Sequence, residues 1–202
     1  MVDDLPEMRF ERVSDLYQWA DELATRADVR CSLGVSRSGG GKHRASDYKD
    51  LALTIIGVAA SLPDAFKRDM FRQVAGFGSE EARASLASQV ADIITKVSPA
   101  AASKPRGKLC RLCAVAILHA RAEIGNSKHR PTLNWYAFVL GIRRQSLNDG
   151  GWRGIIREAE AAVMTVYRGG EAAFKSALEE RGLWGGAEIP GMPTSPVQAK
   201  TA

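Results

Sequence analysis

The stretch Leu133–Trp152, LNWYAFVLGIRRQSLNDGGW, decides how the chain reads. Its apolar residues Tyr136, Leu140, Ile142 and Leu147 fall at the spacings of two short helices that bury side chains against each other. Ala137 puts a small residue where such helices cross. Gly141, four residues on, tolerates the positive φ of a tight corner. The second helix opens with Arg143, Arg144, Gln145 and Ser146, and carries Asn148 before Asp149, Gly150 and Gly151 end it early.

This pattern resembles the helix-turn-helix unit of the phage repressor and Cro-like family, over about a tenth of the chain. The family usually continues its second helix where this chain has Asp149, Gly150 and Gly151. The resemblance implies a duplex-DNA reader. Arg143, Arg144, Gln145, Ser146 and Asn148 would face base edges in the major groove. Lys128, Arg130, Arg153 and Arg157 would hold phosphates, with Lys104, Arg106, Lys108 and Arg111 as outlying contacts. A plain helical hairpin with a glycine turn and a solvated arginine pair accounts for the same residues without DNA.

Charge distribution favours the first of these. Lys104 to Arg157 holds eleven Lys or Arg against Glu123 and Asp149, a local excess of +9 in a chain whose net charge is +5. Residues 1–30 carry eight acids and four arginines. Clustered Lys and Arg that displace counterions from phosphate are the electrostatic footprint of a nucleic-acid face. A generically basic surface would spread the charge more evenly.

The rest of the chain reads as helices. Leu16, Trp19, Ala20 and Leu23 form one apolar face after Ser14 and Asp15. Leu51, Ile55 and Val58 form another in 47–62. Pro63 is expected in the first turn of the next helix, lined by Phe66, Met70 and Val74 and stopped by Gly76–Gly78. Ser79 starts a helix whose stripe is Ala82, Leu86, Val90, Ile93 and Val97, with Glu80 and Glu81 favoured by the helix dipole. SPAAASKPRG, at 98–107, has the composition of a linker. A supporting helix over 108–124 precedes the reader. Trp152, Ile155, Ile156, Ala159, Val163 and Val166 form the stripe of a helix after it, which Gly169 and Gly170 punctuate. The expected fold is all-α: a helical bundle over 1–98, a linker over 99–107, a helix-turn-helix domain over 108–182 and a disordered tail over 183–202.

Chemistry is sparsely supplied. The loop at 34–44 holds Gly39–Gly41 with Arg37, Lys42, His43 and Arg44, but Ser36 and His43 stand where a phosphate-binding P-loop needs Gly and Ser or Thr. A mobile basic clamp and a disordered connector both fit it. Cys110 and Cys113 form a CxxC within a helix. Zinc needs four ligands, and Cys31, His43, His119 and His129 lie at irregular spacing, so buried thiols are expected and no metal. Glu158 and Glu160 point in different directions, and three histidines give little scope for acid–base catalysis. Trp135, Tyr136, Trp152 and Tyr167 lie among basic residues and could stack on bases, although helical spacing makes them core first.

No catalytic residue and no cofactor are expected. The functional expectation is a cytoplasmic, non-enzymatic transcription regulator, a monomer or dimer with double-stranded DNA as partner and no membrane. The acidic N-terminus lacks an apolar signal core, and three cysteines make no disulfide framework. Size, helical build and reader placement also resemble phage and prophage antitermination proteins of the Q type, which implies RNA polymerase as a second partner. Three alternatives stay open: a DNA-packaging or recombination protein, an RNA-binding protein, and a protein-interaction module.

Overall fold

The computed structural model describes residues 10–32, 45–76 and 78–184. Among them are nine helices and no strand, so the chain is all-α. They are α1 (Val13–Ser32), α2 (Ala45–Ala60), α3 (Ala65–Ala75), α4 (Glu80–Val97), α5 (Pro99–Ala102), α6 (Arg106–Ile124), α7 (Leu133–Leu140), α8 (Arg144–Asp149) and α9 (Trp152–Glu180). The Gly-rich basic loop 34–44 and the tail beyond Trp184 lie outside the described residues. No helix among the described residues is long and apolar enough to cross a membrane.

The chain divides into two compact units, one of Leu62–Ala172 and one of Met1–Ser61 with Ala173–Ala202. In the second of these, α1 packs on α2. Val13, Leu16, Tyr17 and Ala20 are buried on α1, and Ala52, Ile55, Val58 and Ala59 on α2. Tyr17 meets Phe174 edge to face, with ring centroids 5.8 Å apart. Tyr17, rather than the expected Trp19, is thus the large buried aromatic of α1.

In Leu62–Ala172, α4 and α6 lie along each other and α3 packs on α6. Asp64 caps α3 by accepting the Lys67 backbone N–H at 3.0 Å. That bond, first among its causes, holds the Asp64 carboxyl below the ordinary carboxylate range. Pro63 therefore precedes the cap instead of occupying the first turn. Ser79 caps α4 at 3.1 Å, as its sequence implies. The buried stripe of α4 is Leu86, Ala87, Val90, Ala91 and Ile94. Ile93 and Val97, expected inside, are exposed. Two apolar lines repeat on this helix, and α6 packs on the one whose alanines let it approach.

The stretch expected as a linker, 99–107, is packed. Ser98 caps α5, Pro99 occupies its first turn, and Ala101 is fully buried. Arg106, opening α6, binds back to Asp92 on α4 and to Ser88 Oγ at 3.0 Å. Small residues and proline, which resemble a flexible connector in composition, here make a tight corner between two helices in contact.

The two-glycine break expected in α9 is also absent. α9 runs unbroken for 29 residues, about 43 Å at the usual helical rise. Gly170 is buried where α9 meets α3: a Cβ there would lie 2.4 Å from the Lys67 carbonyl oxygen and 2.8 Å from Phe71 Cβ. Next to it Tyr167 stacks on Phe71, with centroids 6.1 Å apart. These glycines serve close helix approach. Gly170→Ala should lower stability by about 1–3 kcal/mol through overpacking. Gly154→Ala on the same helix meets nothing within 4 Å and should raise stability by up to about 1 kcal/mol. Urea unfolding of the two variants should move in opposite directions.

Candidate nucleic-acid interface

α7 begins at Thr132, whose hydroxyl accepts the Trp135 N–H at 3.4 Å. It ends at Gly141, which adopts the left-handed conformation (φ 62°, ψ 43°). The Ile142 N–H then donates to the Ala137 carbonyl at 3.0 Å, closing the helix end. Tyr136, Ala137, Leu140 and Leu147 are buried between the elements, as their spacing implies, whereas Ile142 is half-buried. Arg143 caps α8 through its backbone and lies just outside it. A second left-handed glycine, Gly151 (φ 69°), separates α8 from α9.

Of the five residues expected to read bases, Arg143, Arg144, Gln145 and Asn148 are exposed, and Ser146 is half-buried. Asp149 is exposed at the end of α8. Among the residues expected at phosphates, Lys128 and Arg130 are exposed on the loop before α7, and Arg153 and Arg157 on the first turns of α9. Arg111 is exposed and its Nε donates to the Gly107 carbonyl at 3.3 Å, while Lys108 is half-buried. Two outlying residues are occupied within the chain. Arg106 is paired with Asp92, and Lys104 sits 5.3 Å from the centroid of the Trp152 ring.

The aromatic residues divide in a way their spacing does not show. Tyr136, Trp152 and Tyr167 are core, whereas Trp135 is 52% exposed and Phe138, one turn on, 85% exposed. Cys113 is buried, and burial, with Cys110 beside it, pushes its thiol up to about 12. Among the described residues no group of three or more metal-ligating side chains comes together with Cys110 and Cys113.

One constellation was not expected from the sequence. Tyr136 on α7 donates its hydroxyl to Glu160 Oε1 on α9 at 2.9 Å. His119 Nδ1 on α6 lies 3.3 Å from the same oxygen, an ion pair when the imidazole is protonated. Burial first, then the Glu160 carboxylate, pushes the Tyr136 phenol above its ordinary range, so it remains a donor. These three side chains line a cavity of about 290 Å³, together with Arg153 and Arg157. Tyr136 and Glu160 are 24 residues apart, and His119 comes from a third helix, so no local motif links them. The only hint in the sequence is that Arg153, Arg157 and Glu160 share one face of a helix at intervals of four and three.

Compared with protein families, characterised proteins and solved structures, the chain matches none.

The corner at Gly141 gives a direct test. Gly141→Ala forces a Cβ into the left-handed region and should cost about 1–2 kcal/mol, although nothing within 4 Å opposes the added atom. Gly141→Asn should recover part of that loss in thermal unfolding, because Asn visits this conformation more readily.

Proposed function

We propose that the chain is a sequence-specific, duplex-DNA-binding transcription regulator of phage or prophage type, with α8 entering the major groove. The observation that carries this reading is the left-handed corner at Gly141 followed by the cap residue Arg143 and a helix that turns Arg144, Gln145 and Asn148 to solvent, with Arg143 exposed beside them. Helix-turn-helix readers contact base edges from the N-terminal residues of their second helix. Arg144 and Gln145 supply the donors and acceptors that discriminate guanine and adenine edges. Lys128 and Arg130, exposed before α7, then serve as phosphate contacts that set the register.

The more specific form of this reading has the DNA-bound protein acting on RNA polymerase, as antitermination proteins of the Q type do. Trp135 and Phe138 support a protein partner beside the DNA, since exposed large aromatics one turn apart suit a protein–protein contact better than a phosphate backbone.

Selection of bound duplexes from a random pool, followed by titration of the enriched site, tests the DNA reading. Arg144→Ala should relax preference at one base position by about 1–3 kcal/mol. Arg130→Ala should weaken every sequence alike and reduce the salt slope by about one. Identical effects of the two changes, or no salt-dependent duplex binding, would sink the proposal. Replacing both Trp135 and Phe138 with Ala should leave the binding isotherm unchanged and abolish any effect on transcription from a promoter beside the site.

A further inference from the structure

The cavity between α6, α7 and α9 has the chemistry of a ligand site. Glu160 Oε1 is engaged by Tyr136 and lies beside His119, while Oε2 has no partner among the described residues. An acceptor therefore remains on the cavity wall. Pro131, Leu133 and Ile156 supply apolar walls that suit a planar ring. Arg153 and Arg157 line the same cavity and are exposed, and neither forms an ion pair among the described residues. Arg157 stands one turn from Glu160 without pairing with it. Two guanidinium groups at successive turns form a receptor for a phosphate or other tetrahedral anion.

The layout along α9 selects the ligand class. Glu160 and Arg153 are seven residues apart, about 10.5 Å along the helix axis. A ligand that meets both needs an N–H donor at one end, a flat body, and an anion at the other. A nucleoside monophosphate has this order: base edge, ring, sugar, phosphate. An amino acid, with both charges on one carbon, spans Glu160 and Arg157, three residues apart, but leaves Arg153 unused. The volume, about 290 Å³, lies at the lower limit of small-molecule pockets and holds one nucleotide rather than two.

We propose that this cavity binds a single nucleoside monophosphate. Glu160 accepts from the base edge while Tyr136 and His119 hold its carboxylate in place. Arg153 and Arg157 take the phosphate. The nucleotide can come from solution, or be one residue of a nucleic acid turned out of its stack. The proposal does not rest on α8 reading DNA: the cavity uses none of the residues of α8.

The test is calorimetric titration of the full chain with guanosine monophosphate, guanosine and inorganic phosphate. The nucleotide should bind about tenfold or more tightly than either fragment. In Arg153→Ala/Arg157→Ala, nucleotide should bind no better than guanosine. Glu160→Gln should weaken the nucleotide and leave inorganic phosphate unchanged. Both arginines are exposed, so the double variant keeps the test valid if Glu160→Gln fails to fold, which far-UV circular dichroism reports. A second arm places 2-aminopurine in duplex and single-stranded oligonucleotides. With oligonucleotide at concentrations that saturate both proteins, so that a lost phosphate contact is not read as loss of the site, a rise in emission with the native chain that is lost in the double variant identifies the nucleic acid as the source; nucleotide binding without that rise identifies the free ligand. If neither the nucleotide at about 1 mM nor the oligonucleotides give a signal that the variants remove, the proposal is overturned. Arg144→Ala should leave nucleotide binding intact, so loss of DNA reading and loss of this site are separable.

Discussion

The tightest helix approach in the Leu62–Ala172 unit for which the structure demands glycine is that of α9 to the backbone of α3 at Gly170. A carbonyl oxygen occupies the space a side chain would need, so only glycine lets the helices come this close. The gain is the packed surface around it, where Phe71 and Tyr167 lie fully buried with their rings stacked. α9 passes through this contact as one unbroken helix. Its first turns carry Arg153 and Arg157, its next turn Glu160, and its middle the core residues Val163 and Tyr167. The cavity's charged groups lie on the same helix, N-terminal to that contact.

A second constraint works at the other end of the unit. Gly141 and Gly151 both take positive φ, and between them α8 is only six residues long. A helix that short has little stability of its own, because nucleation is costly and few bonds repay it. Leu147, fully buried, ties it to its neighbours. Short length and a single apolar anchor leave most of its side chains in solvent. Trp152 closes the arrangement: it is buried, lies against the Gly150 backbone and has Lys104 over its ring.

Tyr136 joins the two features. Its ring belongs to the core that seats α7, and its hydroxyl ends on Glu160 in the cavity wall. A buried phenol needs a partner, and a carboxylate is a strong one. The same bond that satisfies the tyrosine also orients the carboxylate, so the packing of α7 and the polarity of the cavity are set together.

Much of this was legible in the residues alone, for physical reasons that differ from place to place. Helical periodicity gave the all-α class, and Ser79 marked a helix start because its hydroxyl satisfies a nearby backbone N–H. Gly141 marked a corner because other residues resist a positive φ. Those are local properties, carried within a few residues. The misread segments are those whose meaning lies in a distant neighbour. Ser98–Gly107 has a linker's composition, yet it packs because α4 and α6 touch. Gly169 and Gly170 look like a break until α3 is placed against them. Ile93 and Val97 keep helical spacing but face away from α6. Glu160 reads as one of two stray acids until Tyr136 and His119 meet it. Composition and spacing determine which elements form; which face is buried, which glycine is a contact and which carboxylate has company are decided by helices brought together across long stretches of chain, where no local pattern records the encounter.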